Sequence, residues 1–93
     1  MLTPQNIKQT IAGKEIEEQL LAIDSLLDTV STDEERGLLW AERGKLLWKA
    51  GRRGDAMSAY EKGAQLDPDG PASVLLAQSL DIMAFFNPDL LNP

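Results

Sequence analysis

The feature that most constrains the fold of this chain is the pattern of residues 37–70. Two segments with apolar residues at spacings of three and four flank a glycine-bounded turn at residues 51–54, and Pro68 and Pro71 close the stretch. This spacing predicts two amphipathic helices that fold against each other. Because one helix pair buries little apolar surface, we expect further helices on both sides.

Helical periodicity and turn residues predict five helices, at about residues 4–12, 14–30, 32 or 33–50, 55–66 and 72–86. Thr3 and Pro4 mark the first start as N-cap and first helical residue. Ser31 or Thr32, followed three residues later by an acid, marks the third start. Because no segment alternates polar and apolar residues with a period of two, strands are not expected, and the chain is predicted to be all-α.

Small, aromatic and proline residues recur in one frame that begins at Gly37. They are Trp40, Gly44, Leu47, Gly51, Ala56, Tyr60 and Pro68. In this frame the stretch resembles the tetratricopeptide repeat, a helix–turn–helix unit of about 34 residues. Two positions depart from the family pattern. Arg43 stands where a large aliphatic residue is usual, and Gly63 stands where alanine is usual, which lowers helix propensity by about 1 kcal/mol.

The resemblance implies a single domain over residues 1–93, built from tetratricopeptide-like antiparallel helical hairpins. Residues 3–36 would form a degenerate hairpin, residues 37–70 the full unit and residues 71–86 a C-terminal capping helix. Two Asn-Pro pairs predict an extended tail over residues 87–93. The tail is similar to the ends of small bacterial tetratricopeptide proteins.

In this family the first helix of each repeat lines a groove that holds a peptide or a partner helix. Carried onto this chain, the groove residues are Leu38, Ala41, Lys45, Trp48 and Lys49. Trp48 has two readings. It is an aromatic anchor for a partner, flanked by lysines, or it is additional core that packs on the first hairpin.

Five basic residues cluster in and after the third helix: Arg43, Lys45, Lys49, Arg52 and Arg53. They would receive an acidic peptide, or they would balance the acidic second helix within the chain or across a dimer. Arg43, at a core-facing position, is expected to pair with an acid such as Glu17 or Glu18, or to extend its guanidinium outward.

The fifth helix is apolar nearly all round, so a second surface is expected to cover it. Its residues and those of the tail predict a self-association surface of Leu75, Ile82, Phe85, Phe86, Leu90 and Leu91. The tail would fold back over the fifth helix or insert into the groove of a neighbour.

Composition narrows the chemistry available to the chain. It has no histidine and no cysteine, and its acid pairs stand without a nearby base, nucleophile or ligand set. We therefore predict no catalytic residues, no cofactor and no metal. The formal net charge of −6 repels phosphate backbones, so a nucleic-acid partner is not expected.

No pattern of a signal peptide and no run of about 20 apolar residues is present, which predicts no membrane association and a cytoplasmic location. The predicted function is protein–protein interaction, through a peptide or partner helix in the groove. The alternative is a structural self-assembly unit, a homodimer through the C-terminal helix and tail, with no separate ligand.

Overall fold

The computed structural model describes residues 1–86, which form five α-helices and no strand. The helices are α1 (Pro4–Ile11), α2 (Ile16–Leu27), α3 (Asp33–Lys49), α4 (Arg53–Leu66) and α5 (Pro71–Phe86). The predicted all-α class is confirmed for this part of the chain. The predicted tail at residues 87–93 lies outside the described residues.

Local hydrogen bonds explain where the helices begin. Thr3 caps α1, since its hydroxyl accepts from the Asn6 amide and the Asn6 side chain accepts from the Thr3 amide. Thr32, and not Ser31, caps α3, because its hydroxyl accepts from the Glu35 amide at 3.1 Å.

Helix α2 is shorter than the predicted 14–30. Glu15 is extended and serves as its N-cap, so the helix begins only at Ile16. At the other end, the Leu26 carbonyl accepts from the Thr29 amide at 3.0 Å and from the Thr29 hydroxyl at 2.9 Å. These bonds tighten the last turn, and the helix ends at Leu27.

Helix α3 is shared by two groups of packed helices. The N-terminal pair, α1 and α2, packs on one part of α3, and α4 and α5 pack on another. We call α3, α4 and α5 the C-terminal trio. The most extensive contact in the described chain joins α3 to α4, which are separated only by the turn at residues 50–52.

Two apolar clusters fill the interior, and each draws on α3 and on at least one helix of the N-terminal pair. The N-terminal cluster is built from Ile7, Ile11, Ile23 and Leu39. The C-terminal cluster is built from Leu20, Leu47, Ala56, Ala59 and Tyr60. Leu46 packs against both, so the two clusters are continuous through α3.

The helices of the C-terminal trio approach each other through glycines. A Cβ at Gly44 would meet the Tyr60 ring and lie 3.1 Å from the Ala56 carbonyl oxygen. A Cβ at Gly63 would lie 2.6 Å from the Ala72 Cβ and 3.0 Å from the Gly37 oxygen. Any larger residue would therefore have to separate α3, α4 and α5.

Candidate partner-binding groove

A groove of about 360 Å³ runs between α3 and α5, with α4 at its base. We call it the α3–α5 groove. Its lining residues are Lys45, Trp48 and Lys49 from α3, Tyr60 from α4, and Leu75, Gln78, Ser79 and Ile82 from α5. Three of the five predicted groove residues thus line one surface.

Trp48 lies between the core and the groove. Its half-buried ring packs against the C-terminal cluster, and it also lines the α3–α5 groove. The guanidinium carbon of Arg53 lies 5.3 Å from the ring centroid, within cation–π range. Trp48 is therefore anchored by the core and still presents part of its surface to the groove.

Lys45 is engaged within the chain. Its ammonium pairs with the Glu42 carboxylate at 3.0 Å, and Glu42 is only 5% exposed. Burial and, to a lesser extent, the Glu42 carboxylate raise the pKa of Tyr60. Lys45 therefore neutralises a buried acid beside the groove, and an acidic partner would have to compete with Glu42 for it.

Lys49 differs from Lys45 in its partners. Lys49 is exposed and makes no ion pair within residues 1–86. In the same part of the chain, Arg53 also has no acidic partner and rests over Trp48. Two cations therefore lie near the Trp48 ring: Lys49 lines the groove with it, and Arg53 lies over the ring.

The remaining members of the basic group are neutralised within the chain. Arg43 pairs with an acid of α2, as expected, but that acid is Asp24, at 3.0 Å, and not Glu17 or Glu18. Arg52 instead takes Glu17, at 3.6 Å, together with Asp55 at 3.0 Å. Helix α2 thus presents Asp24, further along the helix than Glu17, to the side of α3 that carries Arg43.

Two predicted groove residues do not reach the groove. Ala41 has no exposed surface, so its methyl group cannot contact a partner. Leu38 is half-buried and packs against the N-terminal cluster. The physical reason is that α1 packs on α3, so the first turns of α3 are used inside the fold.

A second hollow, of about 300 Å³, adjoins the groove on its N-terminal side. It shares Lys45 and Lys49 with the α3–α5 groove and adds Lys8 and Ile11 from α1. Helices α1, α3 and α5 therefore contribute to one continuous face, with the two lysines of α3 at its centre.

The predicted self-association residues have different positions on α5. Leu75 is half-buried in the groove, whereas Ile82 is 42% exposed and Phe85 is 81% exposed. The Phe86 side chain, Leu90 and Leu91 lie outside the described part of the structure. On its outer side α5 also exposes Val74.

Sequence reasoning missed the polar members of the site. Glu42, Gln78 and Ser79 had no assigned role, yet Glu42 holds Lys45 and the other two line the groove. The spacing of Leu75, Ser79 and Ile82 at three and four residues was the available signal, because it places all three on one face of a helix.

Other kinds of site find less support in residues 1–86. That part contains no group of three acids, histidines or cysteines arranged to hold a metal ion. None of its helices combines the length and apolarity needed to cross a bilayer.

Compared with known proteins, the chain matches no family model, no curated sequence and no solved structure.

Proposed function

We propose that this chain is a protein–protein interaction module of the tetratricopeptide type, which binds a peptide or partner helix in the α3–α5 groove. The observation that carries the proposal is a pair of cations, Lys49 and Arg53, that make no ion pair within residues 1–86 and lie near the half-buried ring of Trp48. An aromatic anchor with adjacent charge is the usual composition of a binding hot spot.

The packing of the helices supports the tetratricopeptide part of the proposal. In a stack of hairpins each helix packs on the following helix and on the one after that. The C-terminal trio has these contacts, since α3 packs on both α4 and α5, and α4 packs on α5. The signature residues Gly44 and Tyr60 meet where α3 and α4 approach most closely. The first helices of the proposed units, α1, α3 and α5, contribute to one face.

The chemistry of the groove defines the proposed partner. Trp48, Leu75 and Ile82 favour apolar side chains, and Lys49 favours a carboxylate. The partner is proposed to be a protein and not a nucleic acid, because a net charge of −6 disfavours phosphate backbones. The proposed location is the cytoplasm.

Peptide selection followed by NMR tests the proposal. Ligands would be selected from a displayed random peptide library and titrated into isotope-labelled protein. We expect shifts in the amides of residues 45–49 and 75–82, and weaker binding by Trp48→Ala and Lys49→Glu. Leu21→Ala, on an exposed position of α2, is the matched control. Shifts confined to other surfaces would refute the assignment.

A second candidate function is self-assembly through α5. The observation that favours it is the exposure of apolar side chains on this helix, with Val74 at 57%, Ile82 at 42% and Leu80 at 39%. Sedimentation equilibrium over a wide concentration range tests it. A dimer that Val74→Ser and Ile82→Ser together dissociate would support this function, and a monomer at every concentration would exclude it.

A further inference from the structure

The α3–α5 groove approaches the end of α5. Ile82 shares the groove with Trp48 and Lys49, and it precedes Phe86, the last residue of α5, by one helical turn, about 5 to 6 Å along the axis. The last residue of α5 is therefore about one helical turn from a residue that lines the groove with Lys49 and Trp48.

That continuation has the composition that the groove favours. Residues 87–93 contain one acid, Asp89, and two adjacent leucines, Leu90 and Leu91. Seven residues span at most about 25 Å, and Leu75, at the far end of the groove, is about 16 Å back along α5 from Phe86. The segment is thus long enough to reach every residue of the groove.

We propose that residues 87–93 of the same chain occupy the α3–α5 groove, with Asp89 at the Lys49–Arg53 pair and the two leucines against Trp48 and Ile82. The inference rests on the proposed function, since it makes the tail a competitor for the partner site. A tethered segment has an effective concentration of the order of millimolar, so even weak contacts keep it bound.

The consequence for a partner is a lower apparent affinity. If the tail fills the groove in most molecules, a partner binds only the open fraction, and its apparent dissociation constant rises in proportion. A partner that also binds the tail or α5 would release this restraint.

Paramagnetic relaxation in the full chain tests the proposal. Since the chain has no cysteine, Asn92→Cys provides a single attachment point for a nitroxide. We expect line broadening of the amides of Trp48, Ser79 and Ile82, and none at Leu21 on α2. Absence of broadening at the groove overturns the proposal.

A charge exchange identifies the contact. Lys49→Glu in the spin-labelled chain should abolish most of the broadening at the groove, and adding Asp89→Lys should restore it. Lys14→Glu, an exposed lysine outside the groove, is the matched control and should leave the broadening unchanged. If Lys49→Glu has no effect, the assigned contact is wrong.

Mixing experiments separate the possible occupants. Spin-labelled chain without isotope is mixed with isotope-labelled chain without nitroxide. Broadening in this mixture would assign the groove to the tail of a second copy and overturn the proposal. If the spin-labelled chain shows no broadening at the groove but selected peptides still bind there, the proposed occupation of the groove by the tail is refuted. The proposed function is then unaffected.

Discussion

Where the N-terminal pair packs on α3, large aliphatic side chains fill the space between helices, whereas within the C-terminal trio two close helix contacts are made at glycines. Ile7, Ile23 and Leu39 are fully buried in the N-terminal cluster. In the trio, Gly44 faces Tyr60, and Gly63 faces Ala72. The N-terminal cluster is stabilised by large side chains that fill space, whereas the close helix contacts of the trio require that no side chain is present at the glycine.

This difference determines which substitutions each region accepts. Aliphatic side chains of similar volume replace one another at modest cost, usually below about 1.5 kcal/mol. A glycine at a close helix contact has no such replacement, since every other residue adds a Cβ. We therefore expect the N-terminal cluster to be sensitive mainly to deletions of side-chain volume, whereas the glycine contacts of the trio are sensitive to additions of volume.

The largest expected effect tests the N-terminal cluster. Leu39→Ala removes a fully buried side chain and leaves a cavity, so we expect the free energy of unfolding to fall by about 3 kcal/mol in urea denaturation. Leu39→Met, which conserves volume, should cost less than about 1.5 kcal/mol. Leu21→Ala, at a 65% exposed position, should change stability by less than about 0.5 kcal/mol.

Next in size is the addition of one methyl group to the trio. In Gly44→Ala the new Cβ would meet the buried Tyr60 ring and the Ala56 carbonyl, so we expect a loss of about 2 kcal/mol even after the gain in helix propensity. The control is Gly54→Ala, where no atom lies within 4 Å of a Cβ. It should raise the melting temperature, and equal losses at both glycines would break the comparison.

A smaller effect concerns Gly63. The tetratricopeptide repeat that residues 37–70 resemble usually has alanine at this position, yet a Cβ there would lie 2.6 Å from the Ala72 Cβ. We expect Gly63→Ala to cost about 1 kcal/mol net. Ala72→Gly should rescue it, with a coupling of about 1 kcal/mol in a double-mutant cycle. Additive effects would mean that α4 and α5 are not in close contact at Gly63.

The smallest effect concerns a contact between the start of the chain and α3. A hydrogen bond from the Thr32 hydroxyl and, next, one from the Leu2 amide lower the pKa of Glu35 below its ordinary value of 4.5. The stabilisation is therefore fully present above this value and is lost as pH falls through the folded-state pKa.

Melting curves of Glu35→Gln over the acidic range measure this contribution. The difference in melting temperature between wild type and variant should be largest near neutral pH and should shrink as the solution is acidified. Glu34→Gln is the control, because the Glu34 carboxylate makes no hydrogen bond within residues 1–86. A difference that is independent of pH would show that Glu35 acts through packing instead.

Sequence patterns predicted the helices well because the relevant forces are local. Proline at the start of α1, an N-cap at Thr32 and the turn before Pro71 are short-range signals, and the structure begins α1, α3 and α5 at or next to them. The end of α2 was missed because a hydroxyl and an amide of Thr29 take the Leu26 carbonyl. The sequence alone does not reveal which acceptor a threonine will choose.

The site was harder to predict, since its residues depend on contacts between distant segments. Lys45, Trp48 and Lys49 were placed in the groove by their spacing on one helix. The burial of Ala41 depends on how the neighbouring helices cover α3, and the pairing of Arg43 depends on which turn of α2 faces it. Neither the burial of Ala41 nor the pairing of Arg43 can be predicted from the sequence of a single helix.

Gly44 and Gly51 illustrate two unrelated demands on one amino acid. Gly51 has a φ of 82°, and no atom lies within 4 Å of the Cβ that a substitution would add. Gly44 has no positive φ, but there is no space for an added Cβ. Asparagine and aspartate tolerate the left-handed backbone, so a saturation library should retain them at position 51 and reject them at position 44. Over evolutionary divergence, the turn should drift to asparagine in some lineages while the helix contact stays fixed as glycine.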